Sequence, residues 1–335
     1  MYNYPNYGVF ETEKSIVKRQ EKRGIRSVAA HIGLAYLVMM AVAFFWSLPF
    51  MAVLQGLGFS QAEIIAITED PAIMQIIQIV VSILMFVPPY LIVVANSPQK
   101  MRNLIPLGKP NKGMILPLIL ISIGFCAFAN IATSSIADIF AGFGIEYSAP
   151  ELEIPGGVFG ALLAIMATAF TPALVEEFAM RGAVMGVLRK YGDGVAIGIS
   201  AAMFGLMHRN FVQIPFGFVV GIALGYAVIK TGSLWTGVII HFINNFISVG
   251  LDLLFRQIDS VYLQSGITAI YFVLCFLCFF IGLYLMRNKK KEDYALENAD
   301  MVMTVKERVS AFFSSPIIII SIVVTLVLGI IEMNM

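Results

Sequence analysis

A series of nine long apolar runs constrains the fold of this chain more than any other feature. A transmembrane helix needs roughly 20 mainly apolar residues, and runs near that length follow one another along most of the 335 residues. The runs lie at 27–54, 73–95, 114–140, 156–190, 193–208, 213–230, 233–253, 262–286 and 316–332. Charged residues make up 13% of the chain, against about 25% in soluble domains. The sequence therefore predicts an all-α, polytopic transmembrane helical bundle of about eight or nine spans.

Charged residues between the runs predict the orientation of the chain. Basic residues cluster before the first run and in alternate loops: Lys14, Lys18, Arg19, Lys22, Arg23, Arg26, Lys100, Arg102, Lys109, Lys112, Arg189, Lys190, Arg287, Lys289, Lys290 and Lys291. The first two intervening loops carry acidic and no basic residues: Glu63, Glu69, Asp70, Glu146, Glu151 and Glu153. Basic loops stay on the cytoplasmic side, so nine spans place the N-terminus inside and the C-terminus outside. Eight spans result if one short helix is re-entrant.

The runs and charges also predict how the chain is organised. The expected segments are a cytoplasmic basic tail 1–26, N-terminal transmembrane helices 27–154, a core 155–255, a transmembrane helix 256–286, a cytoplasmic linker 287–315 and a C-terminal anchor 316–335. The formal net charge is +1, which gives no strongly basic surface for nucleic acid. We therefore expect the lipid bilayer as a partner, and no nucleic acid.

Ionisable residues inside the core segment are the strongest indication of function. Glu176 and Glu177 lie in the fourth run, His208 ends the fifth and His241 lies within the seventh. Each such group costs at least ~2.5–3.5 kcal/mol within a membrane, so these groups are rare and mark functional sites. His31, the third histidine, opens the first run beside the basic tail and is expected at the interface.

The spacing of these residues separates the two glutamates. Glu177 and Arg181 are four residues apart and so lie on one helix face, where they can neutralise each other. Glu176 points about 100° away and has no such local partner, as suits a general base. Pro172, one turn earlier, cannot bond to the carbonyl of Thr168 and is expected to kink the helix.

Helix rise places the polar groups at a similar depth. At about 1.5 Å per residue, Glu176 and His208 lie roughly 21 and 22 Å from the inner ends of their helices. His241 and Asn245 lie roughly 12 and 18 Å from the inner end of theirs. All four fit within the ~30 Å hydrocarbon core, so three helices can bring them together. Since His241 is nearest to the inner surface, we expect substrates to approach from the cytoplasmic side.

Three short motifs occur in order within these helices. Residues 176–181 fit EExxxR, residues 204–208 fit FxxxH and residues 241–245 fit HxxxN. Each motif alone is weak, but the ordered set resembles the CAAX-protease and bacteriocin-processing (CPBP, Abi) family of intramembrane endopeptidases. The resemblance covers about residues 155–255, and the flanking helices match only in being transmembrane.

The resemblance implies a role for each polar residue of the site. Glu176 would act as the general base on a catalytic water, and His208 would help to hold or activate that water. His241 and Asn245 would stabilise the oxyanion of the tetrahedral intermediate. These four residues are the expected catalytic set.

Three further residues would orient the site. Glu177 and Arg181 would form a buried pair, and Phe204 would pack under His208. The implied substrate is a peptide or protein, either a prenyl-type CAAX tail or a bacteriocin or peptide precursor. We expect a bacterial plasma-membrane protein, whereas a eukaryotic member would act on prenylated tails in the endoplasmic reticulum.

Metal dependence is left open by the sequence. Family members are commonly described as metalloproteases, and a glutamate, two histidines and an asparagine could bind a divalent metal such as zinc. The chain lacks the HExxH helix of zinc proteases. We therefore expect a metal-independent reaction with no required cofactor, and keep zinc as the alternative.

Other functions fit parts of the sequence. Residues 198–201 are close to the GxSG pattern of rhomboid-like serine proteases, and Asp193 could belong to an aspartyl site. Ser200 is also a small residue suited to close helix contact, like the glycines Gly217, Gly221 and Gly225. A non-catalytic bacteriocin self-immunity or binding protein is a further alternative. A transporter is another, because buried glutamate and histidine also form proton relays.

Overall fold

The computed structural model describes residues 13–144 and 153–333, and these contain helices but no strand. Seven helices are long and apolar enough to cross a membrane, or eight if one bent pair counts as a single span. The predicted all-α transmembrane bundle is confirmed. Eight spans fit but nine do not, because the fifth run forms a helix of 14 residues. Such a helix is about 21 Å long and too short for the ~30 Å core.

The helices of the described residues are numbered in chain order. They are α1 Glu13–Phe45, α2 Ser47–Gly56, α3 Gln61–Glu69, α4 Pro71–Ala95, α5 Met101–Leu104, α6 Lys112–Gly142, α7 Gly157–Tyr191, α8 Asp193–Leu206, α9 Gln213–Thr231, α10 Leu234–Phe255, α11 Val261–Met286, α12 Lys291–Tyr294, α13 Val305–Phe313 and α14 Pro316–Met333. Glu146 and Glu151, two of the acidic residues that predict the orientation, lie outside the described residues.

The first apolar run forms two helices instead of one. α1 ends at Phe45 and α2 begins at Ser47, because Pro49 has no N–H to donate to the carbonyl of Phe45. α1 already begins at Glu13, so the described part of the predicted basic tail is helical. Ile25 in this part is 1% exposed and belongs to the main core. This end of the chain is therefore part of the bundle.

Close contact between α8 and α9 fixes the middle of the bundle. A Cβ atom on Gly217 would lie 2.9 Å from the Cα atom of Gly205, and one on Gly221 would lie 2.9 Å from that of Ala201. Gly225 similarly faces the side chain of Ile197. The predicted packing face of small residues is confirmed, and it sets the position of α8 beside α7.

The predicted linker 287–315 packs onto the bundle and is ordered by specific hydrogen bonds. The backbone N–H of Asp193 donates to the carbonyl of Glu297 at 3.0 Å, and the Glu297 N–H donates to Asp193 Oδ2 at 3.1 Å. Glu21 of α1 accepts two further backbone N–H groups from this segment, at 2.8 and 2.9 Å. The segment thus covers the basic end of the bundle and joins α1 to α8.

The last helix carries buried polar groups, in contrast to a simple apolar anchor. α13 and α14 meet at an angle of 66°. In α14, Ser321 donates to the carbonyl of Gly33 at 3.1 Å, and the Thr325 hydroxyl bonds to that of Tyr36 at 3.1 Å. These bonds fix the rotation of α14 against α1.

Candidate active site

Glu176 and Glu177 lie where α7 departs from regular α-helical geometry. One π-helical stretch, Met166–Phe170, precedes them, and a second, Phe178–Val184, follows. π-Helical turns occur frequently at functional sites. The first stretch contains Thr168, whose carbonyl has no N–H donor four residues on because that residue is Pro172.

Glu177 is sealed inside the protein with Arg181. The Arg181 Nη1 atom lies 2.7 Å from Glu177 Oε1, and both side chains are 0% exposed. Arg181 also donates through Nη2 to the carbonyl of Gly221 at 3.3 Å, and its guanidinium lies 4.3 Å from the centre of the Phe204 ring. The two helices beside α7 therefore hold the ion pair that the sequence predicts.

His241 of α10 contacts both glutamates. Its Nδ1 atom lies 3.1 Å from Glu177 Oε1, and its Nε2 atom lies 3.9 Å from Glu176 Oε2. Because an ionised carboxylate can only accept a hydrogen bond, Nδ1 carries the proton in the contact with Glu177. The Nε2 atom is thereby directed towards the Glu176 side chain, which is 15% exposed.

Gly237 permits this approach of α10 to α7, and the sequence reasoning missed it. A Cβ atom at this position would lie 2.6 Å from Glu177 Oε2 and 2.8 Å from Val228 Cγ2. Any larger residue would push the two helices apart. The sequence did contain a signal for this close contact, because Gly237 precedes His241 by four residues and so lies on the same helix face.

His208 lies just beyond the C-terminal end of α8. Its Nδ1 atom is 2.9 Å from the carbonyl of Phe204, and since a carbonyl can only accept, Nδ1 donates. In the neutral ring, Nε2 is then left as an acceptor. The Phe204 ring packs edge-on against both imidazoles, at centroid distances of 5.2 Å to His208 and 5.7 Å to His241. Phe204 thus packs against His208 as expected, and also joins it to His241.

Asn245 donates to the carbonyl that Pro172 leaves without an N–H donor four residues on. Its Nδ2 atom donates to the carbonyl of Thr168 at 3.2 Å. The side chain of the neighbouring Asn244 donates to Asn245 Oδ1 at 3.2 Å and so helps to orient Asn245. An amide nitrogen has two N–H groups, so the bond to Thr168 leaves the second for another acceptor. Asn245 therefore ties α10 to α7, and its oxyanion role stays a prediction.

A cavity of about 1050 Å³ lies beside Glu176. Its lining is Ala43, Trp46, Thr68, Glu69, Pro71, Met74, Gln75, Ile77, Gln78, Val81, Ser82, Met85, Glu153, Pro172 and Glu176. Glu69 and Glu153 are exposed, and they belong to the acidic loops, at the end of the bundle opposite the basic clusters. The cavity thus connects Glu176 to the acidic end.

This cavity leads to the acidic end of the bundle, whereas the sequence predicts access from the basic end; the side of substrate access stays a prediction. That expectation used the depth of His241 along its own helix and could not include α4, which lies outside the three motifs. The cavity-lining polar residues Gln75, Gln78 and Ser82 were missed for the same reason. Their spacing of three and four residues on an apolar helix marks one face and could have identified them.

Ser200 and Asp193, the residues of the two rival protease types, have structural roles. The Ser200 hydroxyl is buried and donates to the carbonyl of Met180 at 2.8 Å. Asp193 pairs with Arg189 at 3.1 Å and binds the backbone of Glu297. Neither arrangement provides an activated nucleophile or a pair of aspartates.

A resident metal ion does not fit the arrangement of donors. Among the described residues, no three His, Cys, Asp or Glu side chains lie together in a way that could hold one. His241 Nδ1 is bonded to Glu177, and Asn245 Nδ2 is bonded to Thr168. We therefore derive no step of the reaction through a metal.

The fold and the site together define an integral membrane protein with a polar centre of carboxylate and imidazole groups inside its helical bundle, beside a cavity that Glu176 lines. Residues 158–247 match the family described as type II CAAX prenyl endopeptidase Rce1-like. The matched segment contains all three motifs and belongs to the CPBP (Abi) family, so the family predicted from the motifs is confirmed. At the level of the family, the match supports a CAAX-type intramembrane endopeptidase. No curated protein and no solved structure matches the chain.

Proposed function

We propose that the protein is an intramembrane endopeptidase in which Glu176 activates the hydrolytic water. The observation that carries the proposal is the separation of the two glutamates. Glu177 is 0% exposed and paired with Arg181, whereas Glu176 faces a cavity and lies 3.9 Å from His241 Nε2. A general base must reach both water and substrate, and Glu176 is the carboxylate placed to do so.

Charge balance supports a protonated His241 during the reaction. With Glu176 and Glu177 ionised and Arg181 positive, an imidazolium at His241 makes the group of four neutral. Neutrality matters because an uncompensated charge in a buried site is strongly unfavourable. The imidazolium keeps its Nδ1–H on Glu177 and offers its Nε2–H towards the reacting atoms.

The proposed reaction assigns one role to each group. Glu176 takes a proton from water as the water oxygen bonds to the scissile carbonyl carbon, and the O–H group that remains on that oxygen donates a hydrogen bond to His208 Nε2. The carbonyl oxygen becomes an oxyanion, which accepts from His241 Nε2–H and from the second N–H of Asn245. When the intermediate collapses, the C–N bond breaks and the proton held by Glu176 passes to the leaving nitrogen.

The substrates and the location of the protein follow from the same family resemblance. CAAX-type tails and bacteriocin or peptide precursors are the substrate classes we propose. The basic loops define one end of the bundle, and by the positive-inside rule we place that end and the N-terminus in the cytoplasm. A bacterial plasma membrane is the proposed location.

Terminal proteomics tests the proposed activity. Cells that express the wild-type chain are compared with cells that express Glu176→Gln at equal levels, and new N- and C-terminal peptides are identified. We expect a set of new termini in wild-type cells alone, and cleavage of the matching synthetic peptides by the purified protein. Identical sets of termini in both strains would contradict an endopeptidase and favour a binding protein.

A further inference from the structure

The cavity beside Glu176 is formed largely by helices outside the segment that matches the family. Of its lining residues, Pro172 and Glu176 lie within 158–247, and the others come from α1, the junction between α1 and α2, α3, α4 and the segment before α7. The catalytic groups and the walls of the cavity thus belong to different parts of the chain. Features of the walls can set specificity without changing the chemistry.

A polar face on α4 runs down the cavity from the acidic end. Gln75, Gln78 and Ser82 all line it, in a 25-residue helix whose other residues are apolar. An extended peptide brings backbone N–H and C=O groups into the membrane, and these need partners there. Amide and hydroxyl side chains at intervals of one helical turn provide such partners.

Gln75 has a buried oxygen atom that lacks a partner. The residue is 2% exposed, and its Nε2 atom donates to the carbonyl of Glu153 at 2.9 Å. Within the described part of the chain, its Oε1 atom accepts no hydrogen bond. A buried acceptor left unsatisfied costs about 1–3 kcal/mol, and a bound ligand with an N–H group would satisfy it.

The charges along the cavity all have one sign. Among the described residues that line it, the charged ones are Glu69, Glu153 and Glu176, and none is basic. Glu69 and Glu153 lie near the open end and Glu176 lies at the closed end. The open end therefore attracts a cation. Gln75 Oε1 is a hydrogen-bond acceptor at the same depth in the cavity as Glu153.

We propose that this cavity is the substrate cleft, that it opens at the acidic and extracytoplasmic end, and that it selects an extended peptide with a lysine or arginine at a fixed distance from the scissile bond. The inference rests on the proposed function and specifies its substrate class. The cationic side chain lies between Glu69 and Glu153 and donates to Gln75 Oε1. The peptide backbone follows the polar face of α4 to Glu176.

Helix geometry gives the distance from the cation to the scissile bond. The lining of α4 extends from Pro71 to Met85, about 21 Å at 1.5 Å per residue. From the start of α7 at Gly157 to Glu176 the corresponding length is about 28 Å. Since an extended chain covers about 3.3–3.6 Å per residue, the cation lies roughly six to eight residues from the cleaved bond.

A peptide series measures this preference directly. Sixteen-residue synthetic peptides of Ala, Leu and Ser carry a single Lys, or a single Gln as reference, at each position in turn. They are added to the full-length protein in nanodiscs, and mass spectrometry locates the cleaved bond. We expect kcat/KM to be about fivefold higher for Lys than for Gln at the six-to-eight-residue separation, the upper range for a partly exposed ion pair.

Variants of the cavity mouth assign the preference to its residues. Glu69→Gln combined with Glu153→Gln should abolish the Lys preference, so that Lys and Gln peptides are cleaved with equal kcat/KM, and Gln75→Leu should reduce the preference. Glu63→Gln is the matched control, because Glu63 lies on the same short helix but not in the cavity, and Gln preserves its capping position. A Lys preference that is absent, or that survives the double variant, overturns the inference while Glu176-dependent cleavage stands. Cleavage by Glu176→Gln instead overturns the proposed function.

Thiol labelling tests the cleft without requiring activity. Gln78→Cys is exposed on cells and on inverted vesicles to a cationic and to an anionic methanethiosulfonate reagent, and the parent chain with its three cysteines gives the background. We expect labelling from the outside, about fivefold faster with the cationic reagent, and equal rates after Glu69→Gln and Glu153→Gln. Labelling from the cytoplasmic side alone, or no effect of reagent charge, overturns the inference.

Discussion

Glu176 and Glu177 are neighbours in the chain, but they face two different regions of the molecule. The region around Glu177 is closed: α8, α9 and α10 surround it, Arg181 neutralises it, and Gly237 allows no space beside it. The region around Glu176 is open, with α4 across a cavity of about 1050 Å³. One helix thus separates a sealed ion pair from an accessible carboxylate.

This comparison shows how a membrane protein can hold several ionisable groups without losing stability or reactivity. Pairs of titratable groups in contrasting environments commonly divide structural and catalytic roles. Here the sealed pair fixes the rotation of His241 through Nδ1, while Nε2 of the same ring faces Glu176. Substitutions on the closed side should therefore affect folding first, and those on the open side should affect catalysis.

The largest effect on activity is expected for Glu176→Gln. We predict a fall in kcat of about 10²–10⁴-fold, the usual contribution of a general base, with an unchanged melting temperature because the side chain is nearly isosteric. Purified protein in nanodiscs provides both measurements. The matched variant Glu177→Gln should differ by a large loss of stability, because it leaves Arg181 without its buried partner. If the two variants change kcat and melting temperature to the same extent, the two regions do not divide catalytic and structural roles.

Arg181→Ala should give the largest loss of stability. It leaves Glu177 as an uncompensated buried charge, which typically costs about 3–5 kcal/mol, and chemical unfolding can measure the change. Arg189→Ala is the control on the same helix, because the Arg189–Asp193 pair is 40% exposed on the arginine side and should contribute less than about 1 kcal/mol. A stable but inactive Arg181→Ala protein would instead place Arg181 in the chemistry.

Asn245→Ala tests whether a residue can serve both regions. Loss of the bond to Thr168 should lower stability by about 0.6 kcal/mol, whereas loss of an oxyanion donor should lower kcat about 10²–10³-fold. Asn244→Ala removes only the support for Asn245 and should have a much smaller effect on kcat. An Asn245→Ala protein with near-normal kcat would restrict the residue to the structural role.

Gly237→Ala should disturb the sealed region by steric means alone. Its Cβ would lie 2.6 Å from Glu177 Oε2, and overpacking of this kind costs about 1–3 kcal/mol. Gly250→Ala on the same helix has nothing within 4 Å of the added Cβ and should be neutral or slightly stabilising. Thermal unfolding of the two variants compares them directly, and equal melting temperatures would show that α10 can move away from α7.

Chelation should have the smallest effect. Because no three His, Cys, Asp or Glu side chains of the described residues lie together in a way that could hold a metal ion, we predict full activity after prolonged treatment with a strong chelator. Elemental analysis of the purified protein is the accompanying measurement. One equivalent of zinc, with activity lost on its removal and regained on its return, would contradict the prediction.

Local sequence determined the helices, the membrane class and the contacts within one helical turn. The Glu177–Arg181 pair and the carbonyl freed by Pro172 were both predictable, because residues three or four apart on a helix are neighbours whatever surrounds them. The ordered motifs were sufficient to identify the family. Of the predicted eight or nine spans, the lower number fits, because the short run 193–208 forms a helix of 14 residues.

Tertiary structure alone decided how these helices meet. Three features of the site depend on the rotation and height of one helix relative to another. They are the bond from Asn245 to Thr168, the direction of each His241 nitrogen and the position of α4 as a wall of the cavity. The rotation and height are set by close contacts such as Gly237 against Glu177, between residues far apart in the chain. Periodicity within one helix defines which face is polar, but it contains no information on which partner that face meets, and for this reason the cavity between α4 and Glu176 was not predicted.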